Sequence, residues 1–427
     1  MSILKIIKKV YVLYSILIIL SMSCTSLNLM DVLPGLLIMW ICFFMYFLGY
    51  ISRKKYNIVI FNNSFDNNWL IKGNKNKLFF IGLLSIISSI LVVRFYTGQT
   101  PISVFRNLAN GASLYSVYQN YFRENQIGVF SLTKIPFIGM QIFLKFILVY
   151  SYVSYGLFKS KIYLYEKFYL ILITISIIFI GIARGTSFEF FELFILFLLI
   201  TFFKFEKKKM TSKILKKYIL IILLGGIMVF VFYYGITLRE VKFDFKISND
   251  IYYNPDGLLP RISNFLSIII ITLFGYFGFG FFYMSRYVRD IWFASIENFI
   301  AGFIPLGIRA FSSQSIRDQM RFLIDMGARW HPDIAGIIDL GGFIGLLMFS
   351  FSIGMFSRFL KNQSEAGKEN ILVYITYYFI LLQMISLPIG NFIIASSANK
   401  FIVTILTIIW CGKLLRLPRI CLIKKHT

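Results

Sequence analysis

Long apolar stretches follow one another along almost the entire chain, and they constrain the fold more strongly than any other feature of the sequence. About 20 residues of α-helix cross the hydrocarbon core of a bilayer, so each apolar run of that length predicts a spanning helix. The ten candidate spans are Val10–Ser26, Val32–Ile51, Leu78–Tyr96, Ile135–Phe158, Phe168–Ala183, Phe188–Phe205, Tyr218–Thr237, Gly336–Phe356, Ile371–Leu387 and Phe401–Leu415. We therefore expect an all-α, polytopic bundle of transmembrane helices.

The proportions of apolar and charged residues agree with a membrane protein. The 427 residues are 58% hydrophobic and 15% charged, whereas soluble domains usually carry about a quarter charged residues. The net charge of +25 would suit nucleic-acid binding if it were gathered on one polar domain. Instead the basic residues form short runs between apolar segments, as charges that orient membrane helices do. No nucleic-acid partner is predicted.

The basic clusters of the short loops predict the orientation of the helices. Lys5, Lys8 and Lys9 place the N-terminus in the cytoplasm, because positively charged loops stay on that side. Alternation then places five further basic clusters inside, namely Arg53–Lys55, Lys159/Lys161, Lys207–Lys217, Arg358–Lys368 and Lys424-Lys425. We therefore expect a multi-pass protein of the cytoplasmic membrane with both termini in the cytoplasm.

A long polar section, 238–335, separates the seventh candidate span from the eighth. It divides the chain into an N-terminal bundle of seven spans (1–237), the section itself, and a C-terminal bundle of three spans with a cytoplasmic tail (336–427). We expect the section to lie on the external side and to contain short helices.

Two stretches within this section, Ile262–Met284 and Ile291–Ile308, are long enough to cross the bilayer. If both cross, the bundle has twelve spans; if neither crosses, it has ten and the stretches form membrane-hugging helices. The turn expected between them contains Arg286, Arg289 and Asp290 but no lysine. This composition matches the outside loops and favours ten spans.

The four cysteines lie in or beside apolar spans, at Cys24, Cys42, Cys411 and Cys421. Neither a disulfide framework nor a cysteine metal site is predicted. Cys24 follows a basic start and an apolar run, as in a lipoprotein signal. Because Ser21-Met22-Ser23 fits that cleavage pattern poorly and many spans follow, we expect the first helix to be retained.

Arginine and lysine are distributed differently across the predicted membrane. The chain has 28 lysines and 16 arginines, and most lysines fall on the cytoplasmic side. Twelve arginines fall at or beyond the outer surface, namely Arg94, Arg106, Arg123, Arg184, Arg239, Arg261, Arg286, Arg289, Arg309, Arg317, Arg321 and Arg329. Arginine offers a planar fork of donors that suits phosphate or carboxylate. Pairing with local acids would account for some of them and leaves several candidate anion ligands.

The sharpest single candidate is Arg184, at a bend between two long apolar helices that almost no residues connect. An ionisable residue so close to hydrocarbon is a functional candidate. Glu189 and Glu192 open the following helix, where acids complement the helix N-terminus. The alternative is that Arg184 pairs with Glu189 and only fixes the hairpin.

A second candidate site precedes the eighth span, at Arg329-Trp330-His331-Pro332-Asp333. His331 is the only predicted external imidazole, and its ordinary pKa suits proton transfer near neutral pH. Asp333 and Asp339 are alternative bases. The glycines at Gly341-Gly342 and Gly345 are expected to allow close helix packing.

These residues resemble the O-antigen and capsule repeat-unit polymerases (Wzy-type), relatives of the O-antigen ligases. Ala183-Arg184-Gly185-Thr186 resembles the family's Ser-Arg-Gly or Ser-Arg-Thr turn, with alanine at the serine position. Arg239 stands where the family tends to place an arginine at the head of its large external loop. His331-Pro332-Asp333 and the glycine-rich helix from Asp339 resemble the ligase His-Asn segment and Gly-x-x-Gly helix, with proline at the asparagine position.

The resemblance implies a membrane glycosyltransferase that joins polyprenyl-pyrophosphate-linked oligosaccharide repeat units into capsular or O-antigen polysaccharide. Pyrophosphate leaves as a stable anion, so the reaction needs positive charge at that anion and one base for the acceptor hydroxyl. The candidate pyrophosphate ligands are Arg184, Arg239, Arg321 and Arg329, supported by Glu189 and Glu192. The candidate bases are His331, Asp333 and Asp339.

The predicted reaction uses no cofactor and no metal, since neither an Asp-x-Asp pair nor a His/Cys cluster occurs in the external section. Besides the lipid-linked substrate and membrane lipid, a chain-length regulator and a flippase are the expected partners. Two other functions remain open: a flippase or secondary transporter, and a membrane sugar O-acyltransferase. Lys145, inside the fourth span, has no explanation from the sequence.

Overall fold

The computed structural model describes most of the chain. The described residues are 3–52, 74–127, 129, 131–159, 162–206, 246–248, 251–303, 332–365, 370–390, 392–393 and 396–415. Within them the secondary structure is overwhelmingly α-helical, as predicted. The two described strands, β1 (Lys246–Ser248) and β2 (Ile251–Tyr252), form one short antiparallel hairpin.

Besides two short 3-10 helices, Leu29–Asp31 and Leu132–Lys134, the described residues contain fourteen α-helices, several of them longer than 18 residues. They are α1 (Ile3–Met22), α2 (Leu33–Ser52), α3 (Lys75–Thr97), α4 (Pro101–Ala109), α5 (Leu114–Glu124), α6 (Ile135–Leu157), α7 (Leu164–Arg184), α8 (Phe188–Glu206), α9 (Leu258–Ile262), α10 (Asn264–Trp292), α11 (Ile296–Phe303), α12 (Asp333–Glu365), α13 (Ile371–Ser386) and α14 (Ser397–Leu415).

Six of these helices, α2, α3, α6, α7, α10 and α12, are long and apolar enough to cross a membrane. The protein is therefore a multi-pass membrane protein. Helices occupy nine of the ten predicted spans, and the remaining one, Tyr218–Thr237, lies outside the described residues. Only five of those nine belong to the group of six, because the others are shorter or more polar. The predicted count of ten to twelve spans is therefore not confirmed, since six helices in the described ranges are long and apolar enough to cross.

The chain divides into two compact units, each built from separate segments. Unit 1 comprises Met1–Asn57, Phe243–Ala366 and Ile380–Ser396. Unit 2 comprises Ile58–Lys242, Gly367–Phe379 and Ser397–Thr427.

In unit 1, glycines bring the backbones of α2 and α12 into direct contact. A Cβ atom on Gly354 would collide with the carbonyl oxygen of Tyr46, and Gly49 is equally close to the backbone of α12. Small residues permit such an approach in a membrane, where van der Waals packing drives association. One turn further along both helices, the Arg358 guanidinium lies 5.4 Å from the ring centre of Tyr50. The two helices therefore run parallel, as the predicted alternation requires of the second and eighth spans.

In unit 2, α3 and α7 also run parallel. A Cβ atom on Gly82 of α3 would lie 2.7 Å from the Leu172 side chain of α7. Towards the other end of both helices, Gln99 Nε2 donates a hydrogen bond to the Ala183 carbonyl oxygen over 3.3 Å. Because the two helices end side by side, Arg184 and the segment that follows α3 lie at the same surface of this unit.

Helix α10 contains π-helical turns at Phe274–Gly278 and Tyr287–Trp292. The prediction of a turn between Ile262–Met284 and Ile291–Ile308 is wrong, because Arg286, Arg289 and Asp290 lie inside this one helix. Here Arg289 forms ion pairs with Asp290, at 2.7 Å, and with Asp31, at 3.2 Å. Arg286 pairs with Asp290.

Both ends of α10 are tied to the loop between α1 and α2. At the start, Tyr253 forms a β-bridge with Thr25 and donates a hydrogen bond to Asn264 Oδ1 over 2.7 Å. At the end, Arg289 pairs with Asp31. A helix that crossed a hydrocarbon core about 30 Å thick would have its ends at opposite surfaces. The contacts favour a helix that returns to the surface from which it starts, and argue against Ile262–Met284 as a separate crossing.

Helix α12 is interrupted at Gly342, whose φ of 69° and ψ of −175° are not helical. A positive φ is accessible to glycine because it lacks a Cβ atom. Among the described residues, a Cβ atom on Gly341 or Gly345 would meet no heavy atom within 4 Å. The expectation that these glycines serve close helix packing is therefore wrong for Gly341 and Gly345, and Gly342 instead serves a break in the helix.

Candidate functional site

The turn between α7 and α8 is the tightest connection between two long helices in the described part of unit 2. Helix α7 ends at Arg184 and α8 begins at Phe188. Gly185 caps α7 with a left-handed φ of 59°, and its N–H and that of Thr186 donate hydrogen bonds back to α7 carbonyl oxygens. This is the usual glycine C-cap of a helix. A Cβ atom at Gly185 would also lie 2.6 Å from the backbone nitrogen of Tyr115, so helix α5 closes over the turn.

Arg184 contacts both an acid and an aromatic ring. Its Nη1 donates to Glu189 Oε1 over 3.0 Å, and its Nη2 reaches the Tyr118 hydroxyl over 3.4 Å. Its Cζ atom lies 5.1 Å from the Tyr118 ring centre, within the range of a cation–π interaction. Thr186 Oγ1 donates to Glu189 Oε2 over 3.0 Å, which fixes the carboxylate from the other side. The structure thus contains the ion pair of Arg184 with Glu189 that the sequence offered as the alternative to a functional role for Arg184.

After these contacts, some N–H donors of the Arg184 guanidinium have no hydrogen-bond partner among the described residues. The guanidinium carries five N–H groups, of which Glu189 and Tyr118 take only part. The Nε atom is buried and has no hydrogen-bond partner among the described residues. An anion that displaced the long Tyr118 contact would meet Nε and Nη2 as a side-on fork, the geometry in which arginine binds phosphate bidentately. The side chain as a whole is 24% exposed, although Nε itself is buried, so an anion would have to reach Nε from the exposed part of the guanidinium.

A second buried charge cluster lies on the same face of α8, one turn further along. Lys145 Nζ of α6 is 2.8 Å from Glu192 Oε1. Asn399 of α14 donates to the same oxygen over 2.6 Å, and the Phe188 ring centre lies 4.4 Å from the lysine nitrogen. Lys145 is thereby explained: its countercharge is Glu192, a residue 47 positions away. Sequence reasoning missed both this partner and Asn399.

In both clusters, a buried glutamate of α8 pairs with a cation from another helix. Glu189 and Glu192 are three residues apart on α8 and therefore on one face, and each is almost fully buried. Each is neutralised by a cation from another helix, Arg184 from α7 and Lys145 from α6. Buried charges need such partners because an isolated ion is strongly disfavoured away from water. Of the two acids predicted to support the site, Glu189 contacts Arg184, whereas Glu192 pairs with Lys145 instead.

In unit 1, Asp333 is the first residue of α12, three residues before the predicted start. Its backbone N–H donates to the Gly390 carbonyl oxygen over 3.0 Å. Its Oδ2 accepts a hydrogen bond from Gln383 Nε2 over 2.9 Å. Its Oδ1 is buried without a hydrogen-bond partner among the described residues, and the residue is only 1% exposed. Asp333 therefore keeps one oxygen available for a proton or a hydroxyl group.

Asp339 is also 1% exposed and lies within electrostatic range of the Tyr287 phenol of α10. Beyond it, Phe343 follows the break in α12 and packs 5.0 Å from Trp292, measured between ring centres. Two candidate bases of the sequence thus lie on the short helical segment before Gly342. Sequence reasoning missed Gln383 and Tyr287, which neighbour them.

The other candidates cannot be placed. His331, Arg239, Arg321 and Arg329 lie outside the described residues. In the ranges that are described, no group of three or more His, Cys, Asp or Glu side chains is arranged to hold a metal ion.

Comparison with known proteins adds no assignment. No family model, no curated protein and no solved structure matches the chain.

Proposed function

We propose that the protein is a membrane glycosyltransferase that polymerises polyprenyl-pyrophosphate-linked oligosaccharide repeat units at the outer face of the cytoplasmic membrane. The observation that carries this proposal is Arg184. It stands at the end of a membrane helix, is oriented by Glu189, and retains an Nε donor without a partner among the described residues. A lipid-linked pyrophosphate is an anion that lies at this depth in a membrane.

The proposed reaction is a displacement at the anomeric carbon of the donor. The acceptor hydroxyl oxygen forms a bond to that carbon, the bond from the carbon to the pyrophosphate oxygen breaks, and the lipid pyrophosphate leaves with the bonding electrons. Arg184 stabilises the charge that develops on this leaving group. The hydroxyl proton must pass to a base, and His331, Asp333 and Asp339 remain the candidates that the sequence offers for that role.

Two features of Asp333 suit the role of base. Gln383 holds one oxygen by a 2.9 Å hydrogen bond and leaves the other without a described partner. Burial removes competing water from the carboxylate, which strengthens its interaction with an incoming hydroxyl. Arg239, Arg321 and Arg329 remain proposed ligands of the same pyrophosphate, and a chain-length regulator and a flippase remain proposed partners.

The test is the length distribution of glycan in cells that lack the protein and in the purified protein reconstituted with lipid-linked repeat units. We expect single repeat units at the outer face of the deficient cells, and a ladder after complementation. Arg184→Gln should abolish the ladder, whereas Lys167→Gln, a change of an exposed lysine at the opposite end of α7, should not. A normal ladder from Arg184→Gln would remove Arg184 from the site.

A flippase or secondary transporter is the second candidate, and one observation favours it. The break at Gly342, together with buried Asp333, resembles the interrupted helices and membrane-embedded acids of transporters. The same cells distinguish the two functions. Single repeat units trapped at the cytoplasmic face would indicate a flippase, and full-length chains lacking an acyl group would indicate the acyltransferase.

A further inference from the structure

Helices α4 and α5 form a hairpin beside the arginine turn, which we call the surface hairpin (Pro101–Glu124). Helix α3 ends at Thr97 and α4 begins at Pro101, so α4 starts directly where a membrane helix ends. Thr100 caps α4 through a reciprocal capping box with Ser103, and Pro101 occupies the first turn. The chain therefore turns at once into a new helix at the membrane surface.

The surface hairpin is fixed on the ends of α3 and α7. Asn107 Nδ2 donates to Gln99 Oε1 over 3.1 Å, and Gln99 donates in turn to the Ala183 carbonyl oxygen. A Cβ atom at Gly98, whose φ is 68°, would lie 2.5 Å from the Tyr121 ring of α5. With Tyr118 stacked on Arg184, these contacts hold the hairpin in one position on unit 2.

One face of α4 is apolar and uncovered. Ile102, Phe105 and Leu108 are 73%, 61% and 41% exposed and recur every three residues, while Val104 is fully buried. Three large apolar side chains on one arc of a rigid helix would be unfavourable in water. They are suited to the boundary between headgroups and acyl chains of a bilayer, where amphipathic helices lie.

The exposed charges of the surface hairpin and of the adjoining end of α3 are mostly positive. Arg94, Arg106 and Arg123 are exposed and form no ion pair with any described residue, and Glu124 is the one acid of the hairpin. Arginine at the edge of an apolar face attracts anionic lipid headgroups. We propose that the surface hairpin binds an anionic bilayer leaflet, with Ile102, Phe105 and Leu108 in the acyl-chain boundary and Arg106 and Arg123 among the headgroups.

If the proposed function is correct, the surface hairpin also affects how the substrate reaches Arg184. Tyr118 belongs to the hairpin and contacts Arg184, so lipids collected by the hairpin are delivered beside the turn. A lipid-linked pyrophosphate is thereby concentrated at Arg184 from the plane of the membrane. Replacing Arg106 and Arg123 by glutamine should raise the apparent KM for the lipid-linked donor and leave kcat unchanged. An unchanged KM would refute the proposal that the hairpin delivers the lipid-linked donor to Arg184. It would not refute the proposal that the hairpin binds the bilayer.

Depth measurements test the anchoring without any assay of activity. Nitroxide labels are attached at Ile102→Cys, Phe105→Cys and Ser116→Cys in a variant whose four native cysteines are alanine, in vesicles of phosphatidylglycerol and phosphatidylcholine. We expect the labels at 102 and 105 to collide with oxygen and to be shielded from a water-soluble nickel chelate. The label at Ser116, an exposed polar position of α5, should show the reverse. Equal access of the nickel chelate to 105 and 116 would overturn the proposal, as would exclusion of both reagents from 105, which indicates a protein cover.

A second measurement avoids the cysteine replacements. Phe105→Trp in the native background should be quenched by lipids brominated near the headgroup. In spin-labelled lipid binding, Arg106→Gln and Arg123→Gln should each lower the preference for phosphatidylglycerol about fivefold, which corresponds to about 1 kcal/mol per basic residue at an anionic surface. A preference unchanged in both variants would show that the apolar face alone makes the contact and would overturn the role of the arginines.

Discussion

The buried pair of Lys145 and Glu192 allows a quantitative prediction. At 2.8 Å and an effective dielectric constant of about 20, two unit charges attract by about 6 kcal/mol before desolvation is subtracted. Lys145→Met removes the cation and leaves the Glu192 carboxylate buried. Of the two described side chains that donate hydrogen bonds to this carboxylate, only Asn399 then remains. Breaking a buried pair in this way typically costs about 3–5 kcal/mol. We expect Lys145→Met to destabilise unit 2 by that amount.

Removing both charges should restore most of the loss. In Lys145→Met with Glu192→Gln, the glutamine oxygen can still accept from Asn399, and no uncompensated ion is buried. Replacing a buried ion pair by neutral groups is often close to neutral for stability. The double variant should therefore lie within about 1 kcal/mol of the wild type, which gives a coupling of at least about 2 kcal/mol in the double-mutant cycle.

The assay is unfolding of the purified protein in mixed micelles with increasing dodecyl sulfate, followed by intrinsic fluorescence. Lys400→Met is the matched control, because Lys400 is exposed and neighbours Asn399 on the same helix. It should change stability by less than about 0.5 kcal/mol. A double variant as unstable as the sum of both single variants would refute the argument that the charges stabilise each other.

Three further outcomes are expected. Gly185→Ala should lower the free energy of unfolding by about 1–3 kcal/mol, because φ is 59° and Tyr115 blocks the new Cβ atom, and an unchanged free energy of unfolding would contradict the described turn. Gly354→Ala should destabilise the contact with α2, whereas Gly341→Ala, with open space around it, should be neutral or slightly stabilising in the same unfolding assay. Asp333→Asn should retain the fold, since Gln383 can still donate to the amide oxygen, and should lower polymer formation at least tenfold in the reconstituted assay; full activity would leave Asp339 and His331 as the candidate bases.

Several features of the site could be read from neighbouring residues in the sequence. The arginine bend was predictable because Arg184, Gly185 and Glu189 are close in sequence and the flanking apolar runs are long. Pairing across the bend was likewise foreseen as one of two alternatives. The partners of Lys145 were not predictable, since Glu192 and Asn399 come from other helices and charge alone does not specify which helices meet.

Hydropathy was also insufficient for α10. Its 29 residues are apolar enough to cross a membrane, and length and composition cannot distinguish a crossing from a return. The distinction depends on where the two ends are held, by Tyr253 at Asn264 and by Asp31 at Arg289. The Asp31–Arg289 pair and the bridge from Thr25 to Tyr253 join residues far apart in the chain.

The sequence by itself determined that this is an α-helical, multi-pass membrane protein with an arginine at a tight helical bend. Apolar runs dictate helices in a bilayer because every backbone polar group must be satisfied within its own segment. Only the tertiary structure decided which buried charges are paired, where α12 is broken, and which face of α4 remains uncovered. Such features depend on packing between helices, and in a membrane that packing follows local shape and hydrogen bonding, which hydropathy does not encode.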